Sequence, residues 1–334
     1  MRSPLADIFL PQDRMQQDQS TPGKARPAGL SILENVPLAR YTRFEVGGPA
    51  RILADAATEA ALTEVLSAIA ESGEQCAVIG GGTNLVVADQ GFPGVIVRYT
   101  NPTLEFAGHT VDVSAGAVLQ DLVDASIDRG LKGLETMTGI PGWVGGAVYG
   151  NAGAYGHSIH ERISSVRLLD AESGLVREID NSACEFAYRE SIFKRRKNWI
   201  VLSATLELES ADIDELRTTA AGILKIRNEK YPPTMRCAGS IFKNLLWSDL
   251  SDAVRAGVPA SVIREGKIPS AYFLEQAGAK GLARGGVCVA DYHANLIYNQ
   301  GNGTAHQVRE LIADLKQRVR QQFGLDLEEE VQYV

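Results

Sequence analysis

The residues best able to do chemistry in this chain sit in two glycine-rich runs. The longer, GLETMTGIPGWVGGAVYGNAGAYG from Gly133 to Gly156, crowds glycines and alanines around a single Pro, Trp and Asn. So many residues without bulky side chains imply backbone that turns sharply or lies close against something flat, and a large bound cofactor is the economical occupant. The shorter run, VIGGGTNL from Val78 to Leu85, continues a short apolar stretch that begins at Cys76. A strand feeding a glycine turn points successive backbone N–H groups at one anion, and Thr83 and Asn84 add side-chain donors, which outlines a pyrophosphate cradle. It is not the G-x-G-x-x-G dinucleotide fingerprint, because the spacing fails and 85–88 continues as strand or loop, and it lacks the lysine of a P-loop. A plain tight turn stays open for this segment.

Two other constellations are weaker. Gly156-His157-Ser158-Ile159-His160 nearly spells a nucleophile elbow, but the last position is His and no strand signal precedes the serine, which argues against a serine hydrolase. His157, His160 and Glu161 lack a further ligand at metal spacing, so no metal is expected.

The order of motifs resembles the UDP-N-acetylenolpyruvoylglucosamine reductase family, flavoenzymes that make UDP-N-acetylmuramate for bacterial peptidoglycan. The match begins at YTRFEVGGPA (41–50), passes through Gly80 to Asn84, and continues with GIPGWVGGAVYGNAGAYG (139–156), YRESIFK (188–194) and AGSIFKN (238–244). It closes with LEQAGAKG (274–281), His293-Ala294-Asn295 and LEEEV (327–331). Small departures are Thr83, Gly150, Cys237, Ile241 and Ala279. Only a strand and one helix fit between Arg189 and Lys230, so the resemblance is to the shorter form of the family, without an extra substrate-covering loop.

The resemblance implies FAD as cofactor, NADPH as reductant and UDP-N-acetylglucosamine enolpyruvate as substrate, with hydride passing from reduced flavin to C3 and a proton from Ser240 to C2. It implies flavin contacts at Gly80, Gly81, Gly82, Thr83, Asn84, Leu85, Gly139, Ile140, Pro141, Gly145, Gly146, Asn151, Gly153 and Ala154. Arg189 is implied as the guanidinium that forks onto the substrate carboxylate as charge builds there; by residue type alone it reads as a surface arginine paired with Glu190, and the surrounding YRESIF match reverses that. Ser240 is implied as the proton donor, a task a serine performs only with nearby donors or a relay, with Lys243 and Asn244 as supporters; alone it reads as a turn serine after Gly239. Glu330 matches the C-terminal acid. An extended segment puts Glu328 and Glu330 on one face and Glu329 on the other, and an exposed acidic terminus is the bland alternative. Substrate contacts are implied at Tyr188, Lys230, Asn244, Glu275 and His293, the last also readable as structural. Alternatives from other classes are an FAD-dependent oxidase or dehydrogenase of a small hydroxy acid on the same cofactor fold, and a non-catalytic nucleotide-binding relative.

The elements that must position these residues alternate. Leu62, Val65, Leu66 and Ile69 form a helical stripe ending at Gly73, and Val118, Leu119, Leu122, Val123 and Ile127 form another ending at Gly130. Strands are expected at 77–79, 95–99, 111–114, 166–169 and 199–206, helices at 212–229 and 305–323, and a last strand at 330–334. The class is α+β. By resemblance it comprises a two-subdomain FAD-binding region of the vanillyl-alcohol-oxidase/PCMH-like type at 30–211, split near 100, and an α+β substrate domain at 212–334 whose final strand returns to the active site. Residues 1–29, rich in Gln, Asp, Pro and Ser, read as a mobile extension.

A chain of 334 residues with 45% hydrophobic content can supply more than one core. A net charge of −8 and the lack of a long basic run argue against nucleic acid. No apolar run is long enough to span a bilayer, the start lacks a signal peptide's basic and apolar regions, and four scattered cysteines suit reduced thiols, so a cytoplasmic location is expected.

Overall fold

The computed structural model describes residues 27–334, and the expected extension lies outside the described residues except for its last three. The chain is α+β and divides into two compact units, one of residues 27–36, 50–81 and 92–224, the other of 37–49, 82–91 and 225–334.

The first unit holds two main sheets. One contains β1 (Leu30–Pro37), β2 (Pro49–Ala56), β3 (Cys76–Val78) and β4 (Phe92–Tyr99) in the order β1-β2-β4-β3, with β2 and β3 both parallel to β4. Helix α1 (Glu59–Ser72) connects β2 to β3 on the far side of β4, the crossover that parallel strands require. Its stripe of Leu62, Val65, Leu66 and Ile69 is buried, Thr58 accepts from the Ala61 N–H at its start, and Gly73 ends it at φ 69°. The second sheet contains β5 (Leu104–Ala107), β6 (Thr110–Ser114), β7 (Ile163–Asp170), β8 (Leu175–Asp180) and β9 (Trp199–Glu207), ordered β8-β7-β9-β6-β5 and antiparallel throughout. Helices α2 (Leu119–Ile127) and α3 (Val144–Tyr149) bury Leu122, Val123, Val144 and Val148 in an apolar cluster shared with Val97, Val113 and Leu168.

The second unit is discontinuous. Helix α4 (Ile213–Lys230) contains the point at which the chain enters it, so the expected boundary near 212 falls instead after Leu224. Helix α5 (Ser270–Gln276), strands β10 (Val287–Ala290) and β11 (His293–Asn299) and helix α6 (Ala305–Phe323) build its core. Phe44, Val46 and Val86 are fully buried in that core beside Phe242, Phe273 and Leu311, which is why 37–49 and 82–91 belong to this unit and not to the region 30–211 assigned from sequence. The same early segments satisfy its backbone: Asp89 caps α6 by accepting from Ala305 and His306 N–H at 2.7 and 2.8 Å, and Asn299 donates to the Phe44 and Glu45 carbonyls. The expected last strand is shorter than predicted, Gln332–Tyr333, and pairs in parallel with Leu85–Val86.

Candidate active site

In the first unit the two glycine runs meet. A Cβ at Gly81 would lie 3.2 Å from the Trp143 ring and 3.3 Å from the Gly142 Cα, and one at Gly80 would be 3.9 Å from the Gly146 nitrogen. The absence of side chains lets the loop lie flat on Trp143, whose ring has the Arg98 guanidinium over it at 5.4 Å. Asp55 fixes that guanidinium through bonds of 2.7 and 2.5 Å. The longer run threads along 115–119: Val144 and Gly145 donate to the Ala117 and Ala115 carbonyls at 2.9 and 2.8 Å. Gly145 owes its identity to packing, since a Cβ there would meet Ala115 at 2.8 Å, whereas Gly146 opens onto free space. The Gly139 N–H donates to the Gln120 side chain at 2.6 Å, Ile140 packs against the core and Pro141 is exposed.

The end of this run holds the arginine turn. Asn151 is buried at φ 42°, a left-handed conformation that Asn tolerates, and its amide donates to the Ala187 carbonyl at 2.8 Å. Ala187 and Glu190 exchange reciprocal backbone bonds of 3.0 Å, leaving Tyr188 and Arg189 as the two central residues of a tight turn. Arg189 itself sits at φ 57°, where glycine is usual. Its guanidinium donates to the Gly153 carbonyl at 2.8 Å and lies 5.4 Å from the Tyr188 ring centroid, and Lys194 donates to its carbonyl at 2.5 Å. Ser191 ties the next residue to Tyr149 at 2.7 Å. Gly153 and Ala154 pair with Ser158 and His157, and His157 is bonded to Glu161 at 2.8 Å.

In the second unit the terminal segment lies antiparallel to the serine motif. Glu330 N–H donates to Ile241 O at 2.8 Å and Lys243 N–H to Glu328 O at 2.9 Å, so Glu330 lies opposite the residue that follows Ser240. Asn84 clamps this arrangement, donating from its amide to the Glu330 carbonyl at 2.9 Å and accepting from Gln332 N–H at 2.9 Å. Gly82 makes the approach possible: its φ is 66°, and a Cβ would sit 1.8 Å from the Tyr41 carbonyl oxygen. The three glutamates separate as the extended chain requires. Glu328 pairs with buried Lys243 at 2.5 Å, Glu329 turns the other way to Lys316 at 2.8 Å and to the Tyr333 hydroxyl, and Glu330 is fixed through its backbone by Ile241 and Asn84.

Ser240 Oγ is 2.9 Å from the Tyr231 hydroxyl. Lys230 Nζ and Arg227 Cζ lie 5.2 and 5.6 Å from the Tyr231 ring centroid, and the His293 ring is at 6.0 Å. Burial is the main force on all these groups: it pushes the Tyr231 phenol up, and it pushes the Lys230 ammonium down with help from Arg227 and Arg264. It lowers His293 to about 4, reinforced by the Lys230 charge. The His293 Nδ1 also accepts the Asn295 N–H at 3.1 Å, which assigns its neutral-ring proton to Nε2. Asn295 is the buried hub behind the serine, bonded to Phe242 N–H and O at 2.9 and 2.8 Å and to Ser270 Oγ at 2.8 Å.

Asn244 accepts from Ser270 N–H at 3.4 Å, and Glu275 is exposed in an ion pair with Lys280. Sequence reasoning missed Tyr231, Asn295 and Asn299. Tyr231 was adjacent to Lys230 in a turn sequence, and Asn295 fell in a motif read for its neighbour His293, where an asparagine between apolar residues was the available signal; Asn299, followed by Gln300, carried no such signal.

The profile of the FAD binding domain family matches residues 50–180, and that of the UDP-N-acetylenolpyruvoylglucosamine reductase C-terminal domain matches residues 231–334. The UDP-N-acetylenolpyruvoylglucosamine reductase of Solibacter usitatus is 57% identical over 305 residues, covering 91% of this chain and 97% of that protein. The Bacillus subtilis protein of the same name is 32% identical over 313 residues, covering 93% and 96%. The crystal structure of the Thermus caldophilus UDP-N-acetylenolpyruvylglucosamine reductase superposes with a TM-score of 0.71 at 28% identity, over 91% of this chain and 98% of that one.

Proposed function

Since the chain belongs to the UDP-N-acetylenolpyruvoylglucosamine reductase family, we propose that Arg189, Ser240 and Glu330 are the residues through which it performs that family's reaction. The protein is an FAD-dependent oxidoreductase that reduces UDP-N-acetylglucosamine enolpyruvate to UDP-N-acetylmuramate with NADPH as reductant, a step of peptidoglycan precursor synthesis. Family membership displaces the hydroxy-acid oxidase and the non-catalytic relative as readings. Among the described residues no helix is long and apolar enough to cross a membrane, and the four cysteines are free, which supports action in the cytoplasm.

The first unit suits the cofactor. The Thr136 hydroxyl, three residues before Gly139, is buried with no hydrogen-bond partner among the described residues, Gly146 faces open space, and Gly80 and Gly81 lie flat on Trp143. Bound there, FAD supplies the hydride that no side chain can. We assign its contacts to Gly80 and Gly81 and to the 139–154 run.

The remaining roles fall to side chains. Arg189 is held in a left-handed conformation costing about 1–3 kcal/mol, a strain that makes sense if its guanidinium must be aimed at a substrate carboxylate gaining charge. Ser240 delivers the proton to C2, and Glu330, fixed one register position away by Asn84 and Ile241, orients that end of the substrate. Lys230 meets the substrate phosphates as a point charge. The observation that carries this assignment is the Ser240 hydroxyl 2.9 Å from a second hydroxyl, that of Tyr231, on the segment whose next residue pairs with the Glu330 backbone.

Separating the two half-reactions of Ser240→Ala tests it. NADPH should bleach its flavin at the rate of the unmodified enzyme, while reoxidation by the enolpyruvyl sugar nucleotide falls by at least about 10²-fold. Equal loss in both halves would remove Ser240 from the proton step.

A further inference from the structure

We propose that Tyr231 is the second member of a two-hydroxyl relay that resupplies Ser240 with its proton. The inference rests on Ser240 being the proton donor and adds what the serine needs to act as one. An aliphatic hydroxyl is a weak acid, so it transfers its proton readily only if a stronger one replaces it as it leaves.

The geometry provides that group. The Tyr231 hydroxyl lies 2.9 Å from Ser240 Oγ, within hydrogen-bond reach for transfer. A phenol is a much stronger acid than an alkyl hydroxyl, and two cations flank its ring, Lys230 at 5.2 Å and Arg227 at 5.6 Å. Other groups face it as well: Glu330 opposes its ionisation, Cys237 packs in the same apolar cluster, and the neutral His293 ring is 6.0 Å away. Burial keeps the phenol protonated before the step, so it begins as a donor.

The bookkeeping closes without any further reagent. As the Ser240 O–H bond breaks and the C2–H bond forms, the Tyr231 O–H bond breaks and a new O–H bond forms on Ser240. The phenolate is held by Arg227 until water returns its proton, so the net transfer is one proton from solvent to C2. Tyr231 acts through Ser240 and is therefore a positioning residue for the proton, not one that touches the substrate carbon.

The test compares Tyr231→Phe and Ser240→Ala holoenzymes with the unmodified protein in both half-reactions, in water and in deuterated water. Tyr231→Phe should keep its flavin and its bleaching rate within about twofold, yet lose about 10²-fold in reoxidation. The dependence of that rate on deuterium fraction should change from curved, for two protons in flight, to linear. A turnover-free reading comes from 3-fluorotyrosine at position 231, which keeps the ring and hydroxyl. Its fluorine resonance should titrate at a different pH once Ser240→Ala is added, and it should move the pH profile of reoxidation toward lower pH. Normal reoxidation in Ser240→Ala would overturn the Ser240 assignment itself. Slow Ser240→Ala with Tyr231→Phe at the unmodified rate, or a fluorine titration indifferent to Ser240→Ala, would overturn the relay alone.

Discussion

His293 shows how much a single residue's surroundings decide. Its Nδ1 accepts a backbone N–H and burial beside Lys230 lowers it to about 4, so in the folded protein it stays neutral well below the pH at which an unfolded histidine charges. Between about pH 6.5 and 4 the unfolded chain therefore binds a proton that the folded chain does not. Stability rises with pH across that window, and the penalty at its acid end is about 2 kcal/mol once partial exposure is allowed for. Chemical denaturation of the unmodified protein and His293→Gln at a series of pH values checks this: the variant should have a flatter profile, and parallel profiles would remove His293 as the cause. At this scale the sequence was most informative where a residue type sat inside an extended motif. Arg189, Ser240 and Glu330 were proposed on that basis, and the alternation that turns Glu329 away from its neighbours is seen in its pairing with Lys316 while Glu328 pairs with Lys243. Tyr231 was not, because its significance arises from a hydroxyl nine residues later that only the folded turn brings within 2.9 Å.

Elements with a long apolar stripe could be read directly. Helices α1 and α6 carry their stripes, caps and terminal glycines in the sequence, and Gly324 ends α6 at φ 68°. Helix α2 stops at Ile127, short of the expected Gly130, because the next residues close 3-10-like bonds from Arg129 to Ser126 and Gly130 to Ile127. Strands β1, β5 and β8 escaped notice since half or more of their residues are exposed; β8 leaves Leu175 and Val176 in solvent. The β10–β11 hairpin was hidden for the opposite reason, with β10 buried at every position and so lacking any alternation. Asn299, at the end of β11, holds more of the second unit together than its type suggests. Its amide donates to two carbonyls of 44–45 and its oxygen accepts from Gly301 and Gly303 N–H, both at 2.8 Å. Asn299→Ala strands several of these groups and should cost about 2–4 kcal/mol. Urea unfolding that shows less than about 1 kcal/mol would mean that water replaces the amide without loss.

For the whole molecule, the sequence supported more than one core and the α+β class but not the way the chain is shared between units. A contiguous domain at 212–334 was the simplest division, yet Phe44, Val46 and Val86 complete the second core and Asp89 caps its longest helix. Contiguity is a property of the chain, and burial is a property of the fold, so only the latter could place these segments. A fragment of residues 225–334 should accordingly show no cooperative thermal transition by circular dichroism, whereas a sharp transition would mean that the early segments are dispensable to it. The most direct measurement is the anaerobic visible spectrum of the purified holoenzyme, followed as NADPH and then UDP-N-acetylglucosamine enolpyruvate are added. Bleaching by the first and stoichiometric recovery of the flavin bands by the second is the predicted result; bleaching that the sugar nucleotide fails to reverse would contradict it.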